Sequence, residues 1–388
     1  MNFRESLSRF KMLSELYAND SPRAVLLPEY PSSNSKETNF QNSTRYVIHD
    51  PFPPPRRSLM KVLGPHHLMC CWGDRLPVTS EIQPPQPLID HWQRVFGEAS
   101  GLNWQAWNSQ TESSPGVAEY ITLYPHESIS PAQQVIDPDV LHELHSKEVI
   151  QKIDCDQAAV LSEIEPPCVV KLSHGYAGLG NFLVHNEDDI TSVEEAIAKS
   201  WPNARLIINE LIANIAGDFG VQFYLGRDGG VTCLGLTEQK FDQAGKWIGG
   251  HFVLSQQTEV YDRLLPTINA AASYLHEQGY FGVVGVDILV DQSGNSFLVD
   301  VNPRLTGITP FLIASRLFLE YGFEYGIYQA SFTFAGSSQQ LFQLAESLTD
   351  VRVLVLAVLD EPDDQTICHL SISGRNINDC RNAFDKFR

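Results

Sequence analysis

The stretch that decides the fold is Gly282-Val-Val-Gly-Val-Asp-Ile-Leu-Val-Asp-Gln-Ser-Gly-Asn-Ser-Phe-Leu-Val-Asp-Val-Asn-Pro-Arg304. Two apolar runs flank the polar residues 292–295, which is the sequence pattern of a β-hairpin. With the turn centred near Ser293, Asp287 on the first strand is predicted to lie opposite Asp300 on the second. Side chains alternate along a strand, so Asp300 and Asn302 are predicted to share one face.

Two carboxylates and an amide oxygen on one surface indicate a cation site. Hard divalent cations such as Mg²⁺ prefer oxygen ligands, especially where substrate phosphates complete the coordination shell. The simpler interpretation is a solvated polar face on a half-buried sheet. However, Asp and Asn are disfavoured within strands, and two like charges facing each other across a hairpin repel unless a cation lies between them. The pattern therefore favours a metal site.

The composition describes a globular chain with a strongly acidic balance. Its 388 residues are enough for two or three domains, 43% of them are apolar, and the formal net charge is −20. That charge argues against a nucleic-acid partner or an anionic membrane surface. An anionic ligand such as a nucleotide must then be held by a few local cations and backbone amides.

Cysteine usage indicates a reducing compartment. The seven cysteines are scattered apart from Cys70-Cys71, and no Cys-x-x-Cys pair occurs. Reduced thiols fit this usage better than a disulfide framework or a zinc site. We expect no secretory signal and no transmembrane segment, and therefore a cytoplasmic protein.

A second constellation lies at residues 169–184. A strand carrying Lys171 runs into a loop that contains Gly175, Gly178 and Gly180, and a second strand follows. Glycines let backbone N–H groups approach phosphate oxygens, and a lysine reaches a phosphate as a point charge. The loop has neither the Gly-Lys-Ser/Thr ending of a P-loop nor the following helix of a Rossmann fingerprint. A surface turn is the open alternative.

Two acids lie between these features. Glu210 ends an apolar strand, and Asp218 follows eight residues later. An acid in the position of Glu210 can accept a hydrogen bond from an adenine amino group, and Asp218 can bond ribose hydroxyls. Taken singly, both acids are more typical of solvated strand ends than of a nucleotide site.

Turn and helix signals predict an α/β arrangement for the rest of the chain. Strands are expected at residues 24–27, 46–49, 168–172, 205–210, 220–225, 231–236, 351–359 and 367–373. Helices are expected at residues 138–153, with Asp137 as N-cap, at 193–200 and 261–278, and within 311–345.

Together these motifs resemble the ATP-grasp superfamily over about residues 135–330. The lysine strand with its glycine loop, the strand ending in Glu210, and the acidic hairpin occur in the family's order, and Lys147 fits the family's first phosphate-contacting lysine. The resemblance implies an α/β (α+β) ATP-grasp fold with a lid subdomain (131–215) and a catalytic subdomain (216–335). We expect an N-terminal α/β substrate-side domain (1–130) before them and a small C-terminal α/β tail (336–388) after them. Residues 346–388 would either complete the core or form a homodimer contact.

The resemblance also implies a role for each motif residue. Arg304 and Lys171 would be catalytic, with Arg304 holding the reacting carboxylate or acyl phosphate. Lys147 and Lys171 would contact the α/β phosphates of ATP. The three oxygen ligands Asp287, Asp300 and Asn302 would bind two Mg²⁺ ions. The remaining contacts to ATP would come from Ser173, Gly175, Gly178 and Gly180 over the triphosphate, Glu210, Leu211 and Ile212 at the adenine, and Asp218 near the ribose.

Two further segments are candidates for binding the other substrates. In the amino-acid and peptide ligase branch a loop similar to residues 237–252 lines the substrate site, which makes Glu238, Lys240 and His251 candidates for binding an amino or carboxylate group. A solvated hairpin is the alternative. The stretch after Arg304 contains Thr306 and Gly307, and its glycine would let backbone amides meet an acceptor carboxylate.

Most members of this superfamily are ligases, so the resemblance implies an ATP-dependent carboxylate–amine ligase. Such an enzyme joins small metabolites through an acyl phosphate, with ATP and Mg²⁺ as cofactors and a small carboxylate and amine as partners. Three alternatives stay open: a carboxylate–thiol ligase, a phosphotransferase acting on a hydroxyl, and a non-catalytic nucleotide-binding protein. The complete set of metal and phosphate ligands has no physical use in the last of these.

Overall fold

Three β-sheets organise the part of the chain that the computed structural model describes, which is residues 10–32, 40–49, 54–97, 101–107, 119–175, 180–242 and 247–388. The first is a parallel sheet in the N-terminal region, with strand order β3-β2-β1-β4. Its elements are α1 (Leu13–Asp20), β1 (Val25–Leu27), α2 (Pro54–Met69), β2 (Val78–Ser80), α3 (Gln86–Phe96), β3 (Trp104–Ala106) and β4 (Tyr120–Thr122).

The expected strand at residues 46–49 is wrong. Only His49 makes a ladder contact, an isolated bridge to Gly175. The physical reason is a competing acceptor: the Glu127 carboxylate receives hydrogen bonds from the backbone N–H groups of residues 43–46 at 2.7–3.1 Å. Within the expected strand, the Tyr46 N–H is therefore not available to a β-ladder, and the His49 N–H donates to the His174 carbonyl at 3.1 Å.

The second sheet is small and antiparallel, with strand order β6-β5-β7. It has its own apolar core against α5. This region comprises α4 (Pro138–Leu144), a 3₁₀ helix (Lys147–Lys152), β5 (Cys168–Leu172), β6 (Asn181–Val184), α5 (Glu187–Ser200) and β7 (Leu206–Glu210).

The helix expected over residues 138–153 is interrupted. Asp137 caps α4 as predicted, accepting from the backbone N–H groups of Asp139 and Val140. The α-helix ends at Leu144, and Ser146 caps a separate 3₁₀ helix. The Lys147 N–H donates to the Ser173 carbonyl at 2.8 Å. This hydrogen bond connects the start of the 3₁₀ helix to the end of β5.

The third sheet has eight strands in the order β12-β11-β8-β9-β10-β13-β15-β14 and is antiparallel throughout. Its strands are β8 (Ile215–Leu225), β9 (Val231–Phe241), β10 (Trp247–Val253), β11 (Gly282–Asp291), β12 (Ser296–Asn302), β13 (Tyr325–Ala335), β14 (Arg352–Glu361) and β15 (Gln365–Gly374). Its helices are α6 (Leu254–Glu277), α7 (Thr309–Phe318), α8 (Ser338–Ser347) and α9 (Ile377–Phe384).

The helical expectation for residues 311–345 is only partly right, because β13 lies in the middle of that segment. The two strands expected in the tail are present as β14 and β15, and β15 pairs with β13. The tail therefore completes the large sheet. Helix α3 anchors it from the N-terminal region: the Trp92 indole N–H donates to the Val355 carbonyl at 3.0 Å.

One apolar core joins the N-terminal region to the large sheet. All seven cysteines are free thiols, as expected. Among the described helices, none has both the length and the apolar character needed to cross a membrane.

Candidate active site

The acidic hairpin has the predicted register. Asp287 pairs with Asp300 and Gly285 with Asn302, on adjacent antiparallel strands β11 and β12. A β-bulge follows, because Ile288 pairs with Leu298 and leaves Val299 as the extra residue. The Val299 carbonyl accepts a hydrogen bond from Lys171 Nζ at 3.1 Å. The bulge thus connects the hairpin to the lysine of the small sheet.

Hydrogen bonds along β12 hold the polar groups in one row. Asn302 Nδ2 donates to Asp300 Oδ2 at 3.3 Å, which confirms that the two side chains share a face. Arg304 Nη2 donates to Asn302 Oδ1 at 3.0 Å. The guanidinium of Arg304 also lies over the ring of Tyr124, 5.1 Å from its centre. The row therefore runs from Asp300 through Asn302 to a fixed arginine.

Two lysines from different elements converge on this hairpin. Lys147 begins the 3₁₀ helix, and its ammonium forms an ion pair with Asp300 Oδ1. Lys171 lies on β5 and is 8% exposed. Burial lowers the pKa of Lys171, while the carboxylate of Asp300 opposes that effect. Two lysine side chains thus lie against the acidic hairpin in a protein of net charge −20.

The acidic groups continue from the hairpin to the next strands. Gln239 on β9 donates from Nε2 to Asp287 Oδ1 at 3.0 Å and to Asp218 Oδ1 at 3.2 Å. Burial and the neighbouring Asp300 raise the pKa of Asp287. Burial raises the pKa of Asp218 to about 6, with the Gln239 hydrogen bond opposing it. A neutral amide therefore links the two acids.

The sequence did not point to Gln239, because its contact crosses an intervening strand. Gly220 on β8 pairs with both Asp287 and Thr237, so Thr237 and Gln239 lie on the face of Asp287. Gly220 presents no side chain between them, which lets Gln239 reach across β8. A glycine opposite an acidic residue on a neighbouring strand, as Gly220 is opposite Asp287, is the sequence feature that could have predicted this contact.

The same register places three substrate candidates on the other face of the sheet. Glu238, Lys240 and His251 were expected in a loop, but they lie on strands β9 and β10. Glu238 pairs with His251, and both alternate with Gln239 and Gly250, which lie on the Asp287 face. Lys240 Nζ forms a salt bridge with Glu238 at 3.2 Å. The structure therefore does not bring these three residues to the hairpin.

The glycine loop is held at its start by histidines. The His174 ring stacks on His142 with centres 4.1 Å apart, and His174 Nε2 lies 3.1 Å from the His142 carbonyl. Burial lowers the pKa of His174 to about 4, so its ring is neutral at pH 7. With Nε2 as the donor, Nδ1 must accept, and Ser173 Oγ lies 3.0 Å away.

The Ser173 hydroxyl proton is therefore directed to His174, and the backbone N–H groups of Ser173 and Gly175 donate to the carbonyls of Arg205 and Leu172. Gly175 makes the bridge to His49, and the Gly180 carbonyl accepts from Leu172 N–H at 2.9 Å. Gly178 lies outside the described residues.

A cleft separates the small sheet from β12. Lys171, Asn209, Leu298 and Val299 are among the residues that line it. Leu183 pairs with Val169 on the same face as Lys171, and it is an apolar side chain that is 52% exposed. An exposed apolar side chain beside a buried lysine suits a ligand with a flat apolar part and an anionic part.

The residues expected at the adenine end contact the protein's own backbone. Glu210 Oε1 accepts from the Ala159 N–H at 3.0 Å, and Leu211 N–H donates to the Pro167 carbonyl at 3.4 Å. The role of Ile212 at the adenine stays a prediction. Thr306 Oγ1 accepts from Gln222 Nε2 at 2.9 Å, and Trp247 packs against Gly307. The ligand roles of these residues stay predictions.

The family model and the curated relative that match this chain are both described as ligases. The profile of the family described as "L-aspartate--L-methionine ligase, ATP grasp" matches residues 146–302. The "[Butirosin acyl-carrier protein]--L-glutamate ligase" of Niallia circulans is 23% identical over 207 residues, which are 49% of this chain and 49% of that protein. The chain thus spans about half the length of this curated relative.

Two solved structures share the fold at low sequence identity. The biotin carboxylase domain of Hydrogenobacter thermophilus 2-oxoglutarate carboxylase, a dimer in complex with MgADP, ADP and bicarbonate, has a TM-score of 0.55 and 12% identity, covering 94% of this chain and 90% of that one. N5-carboxyaminoimidazole synthetase from Staphylococcus aureus, complexed with ADP, has a TM-score of 0.55 and 11% identity, covering 84% and 94%.

The protein has the ATP-grasp fold. Within the ATP-grasp superfamily, the chain resembles the carboxylate–amine ligase branch.

Proposed function

We propose that the protein is an ATP-dependent carboxylate–amine ligase. It joins a small carboxylate to a small amine through an acyl phosphate and releases ADP and phosphate. The observation that carries the proposal is the convergence of Lys147 and Lys171 on the hairpin of Asp287, Asp300 and Asn302, with Arg304 fixed beside it. The names of the matched family and of the Niallia circulans relative, both ligases of amino acids, support amino acids as substrates.

ATP would lie in the cleft between the small sheet and β12. Its triphosphate would meet Lys147 and Lys171, and the backbone N–H groups of the glycine loop would close over it. Leu298, which lines the cleft, and the exposed Leu183, which lies on the Lys171 face of the small sheet, would supply apolar surface for the adenine ring. Glu210 with Leu211 and Ile212 would contact the adenine edge.

The donor set at the hairpin fits Mg²⁺. Carboxylate oxygens of Asp287 and Asp300 and the amide oxygen of Asn302 are the hard ligands this ion prefers. The raised pKa of Asp287 reflects a buried charge beside other acids, which a divalent cation would relieve. When bound, Mg²⁺ supplies positive charge that offsets the repulsion between the triphosphate and the incoming carboxylate.

The protein contributes mainly positioning and electrostatic stabilisation. A carboxylate oxygen of the first substrate attacks the γ-phosphorus, a P–O bond to ADP breaks, and an acyl phosphate forms. Arg304, held by Asn302 and by the Tyr124 ring, orients that carboxylate. The neutral amine then attacks the acyl carbon, the C–O bond to phosphate breaks, and the proton lost by the nitrogen passes to solvent.

Water must be kept from the acyl phosphate. The glycine loop that begins at Ser173 would cover the nucleotide, and its start is held by the His174–His142 stack. Asp218 would bond the ribose through the carboxylate oxygen that Gln239 leaves available. The free thiols fit a reducing cytoplasm as the place of action.

The test measures ADP release with Mg·ATP against a panel of amino acids and other small carboxylates, with hydroxylamine as the trap. Carboxylate-dependent ADP formation with a hydroxamate product is the expected result. A stable phosphorylated product would identify a phosphotransferase instead. Phosphate release that requires a thiol and ignores amines would identify a carboxylate–thiol ligase. The Lys171→Ala protein is the control for contaminating ATPases.

A further inference from the structure

A group of hydrogen-bonded side chains lies behind the turn that follows Arg304, and neither the sequence motifs nor the proposed chemistry accounts for it. We call it the glutamine clamp and define it by Gln222, Thr306 and Thr309. Gln222 Nε2 donates to Thr306 Oγ1 at 2.9 Å, and the Thr309 hydroxyl donates to Gln222 Oε1 at 2.7 Å. Gln222 and Thr309 are buried, whereas Thr306 is partly exposed. One residue of strand β8 therefore holds two residues of the turn from the inside.

The clamp lies on the face of the large sheet that carries the acidic hairpin's polar row. Gln222 pairs with Gly285, and Gly285 pairs with Asn302. Residues directly opposite each other on neighbouring strands share a face. A Cβ atom added to Gly285 would lie 2.5 Å from Gln222 Nε2 and 2.9 Å from Thr306 Cγ2. The glycine therefore leaves the space in which these two side chains meet, next to Asn302.

The clamp also fixes the peptide unit that binds the Arg304 guanidinium. Thr309 Oγ1, whose proton goes to Gln222, accepts from the Thr306 N–H at 2.9 Å. On the other side of the same peptide unit, the Leu305 carbonyl accepts from Arg304 Nη1 at 3.1 Å. A rotation of this peptide unit would break both hydrogen bonds. The position of the guanidinium therefore depends on the clamp as well as on Asn302.

The hydrogen bonds of the clamp leave the Thr306 proton for a ligand. The distances of 2.7 Å and 2.9 Å are typical of O–H···O and N–H···O bonds, which fits Thr309 as the donor to Gln222 and Gln222 as the donor to Thr306. The Thr306 hydroxyl then has Thr309 Oγ1 as an acceptor at 3.3 Å, which is longer than a usual O–H···O bond. A carboxylate is a stronger acceptor because it is charged. Thr306 can therefore donate to a carboxylate while Gln222 holds its oxygen.

We propose that Gln222 is a positioning residue for the reacting carboxylate: through Thr306 and Thr309 it presents the Thr306 hydroxyl and the Arg304 guanidinium to the same anion. This inference rests on the proposed ligase function, and it assigns Thr306 to the carboxylate substrate and not to the amine. Gln222 is 3% exposed and acts from behind the turn, without contact to the substrate. Its uncharged amide holds both hydroxyl groups without adding a charge to the site.

The experiment measures hydroxamate formation by the full-length protein with Mg·ATP and hydroxylamine, with aspartate, glutamate, succinate and acetate as carboxylates. Hydroxylamine takes the place of the amine, so KM for the carboxylate and KM for ATP are obtained without an amine substrate. Gln222→Leu and Thr306→Val are each expected to raise KM for the carboxylate about tenfold, because a donor to a charged group is displaced or lost. KM for ATP is expected to stay unchanged. Thr306→Ser, which restores the hydroxyl group, is expected to recover most of the loss seen in Thr306→Val.

The matched control is Gln257→Leu. Gln257 is also a buried glutamine, and it bonds the N–H and the carbonyl of Leu236, both at 2.9 Å. Its replacement therefore removes two buried hydrogen bonds away from the turn. We expect it to lower Tm about as much as Gln222→Leu does and to leave both KM values unchanged. In the double variant Gln222→Leu/Thr306→Val, KM for the carboxylate is expected to stay within about twofold of the worse single variant, because both changes act on one interaction.

A wild-type carboxylate KM in Gln222→Leu would overturn the proposal, and so would an equal rise in KM for ATP. Thr306→Val decides the same question if Gln222→Leu does not fold. Carboxylate binding is also followed without turnover, as the shift in Tm that each carboxylate gives in the presence of Mg·ADP. A wild-type shift that Gln222→Leu loses would support the clamp even if no hydroxamate forms, and the missing hydroxamate would then count against the ligase function alone. A wild type with neither a hydroxamate nor a carboxylate-dependent shift would overturn both.

Discussion

The Asp300 carboxylate contacts both a lysine and an amide of the site. Lys147 pairs with its Oδ1, and Asn302 Nδ2 donates to its Oδ2. Its backbone pairs with Asp287 across the hairpin. Asp300 would bind the same cation as Asp287, and its partner Lys147 would also contact the triphosphate. Removing the Asp300 carboxylate is therefore expected to affect both metal binding and triphosphate binding.

Replacing Asp300 or Asn302 by alanine tests the metal assignment. Each change is expected to lower Mg·ATP turnover by about a hundredfold or more, since even the outer partners of metal ligands contribute 10–100-fold. Turnover is measured across a Mg²⁺ titration, with circular dichroism to check the fold. Asp291→Ala is the control, because Asp291 caps the turn of the same hairpin through Asn295. Full activity in both site variants would remove the metal assignment.

Lys171 tests the phosphate assignment. Its side chain is buried and reaches the Val299 carbonyl, so Lys171→Ala removes a positive charge that solvent screens little. Affinity for a non-hydrolysable ATP analogue, measured by calorimetry, is expected to fall about tenfold or more. Lys152→Ala removes an exposed lysine from the neighbouring 3₁₀ helix and serves as the control. Normal analogue affinity in the Lys171 variant would contradict the phosphate role.

The segment after β1 carries an acid whose ionisation opposes folding. Burial raises the pKa of Glu29 to about 8, although its carboxylate accepts from the Glu81 N–H at 2.9 Å. The folded state therefore binds a proton that the unfolded state releases between about pH 4.5 and 8. Over that window the free energy of unfolding falls as the pH rises.

Glu29→Gln keeps an acceptor for Glu81 N–H and removes the ionisation. At pH 9 the variant is expected to be more stable than the wild type by roughly 1–3 kcal/mol, and its stability should vary less between pH 5 and 9. Urea unfolding at several pH values measures this. Glu127→Gln is the contrasting variant: backbone N–H donors outweigh burial and hold the pKa of Glu127 at about 2, so its loss is expected to destabilise at pH 7. Parallel pH curves for wild type and Glu29→Gln would contradict the interpretation.

The elements were predictable where local pattern decides structure. The hairpin register, the strand of Lys171 and the Asp137 cap follow from alternation, turn residues and capping chemistry, which are properties of neighbours in sequence. The errors come from distant partners. The Tyr46 N–H donates to Glu127 and the His49 N–H to the His174 carbonyl, and β13 forms because β10 and β15 flank it. Neither partner is visible from the segment itself.

In the site too, contacts between residues close in sequence could be predicted, and contacts between distant segments could not. Motif residues on the hairpin could be placed from the sequence because they are close in the chain. Gln239 could not, since its contact with Asp287 depends on a glycine in the strand between them. The face of Glu238 and Lys240 could not be predicted, because a loop was expected where β9 continues to Phe241 and a loop has no alternation of faces.

The N-terminal region and the C-terminal tail form one structural unit around the large sheet. Strand β14 is at the edge of that sheet, and helix α3 covers it. Two neighbouring side chains of α3 bind the backbone of one residue: Trp92 Nε1 donates to the Val355 carbonyl, and His91 Nε2 accepts from its N–H, both at 3.0 Å. An edge strand whose backbone groups are satisfied in this way is protected from pairing with other chains.

Trp92→Phe tests whether this contact couples the two ends of the chain. The change keeps most of the buried apolar volume and leaves the Val355 carbonyl without its indole donor, so the free energy of unfolding is expected to fall by about 1–3 kcal/mol. Guanidinium unfolding followed by fluorescence and by circular dichroism should still give coincident transitions at a lower midpoint. Trp104→Phe, which removes an indole bond to Ser80 Oγ within the N-terminal sheet, is the control and is expected to lose less because Trp104 is partly exposed. A wild-type midpoint for Trp92→Phe would mean that the tail is held by the pairing of β14 with β15 and by apolar packing, independently of α3.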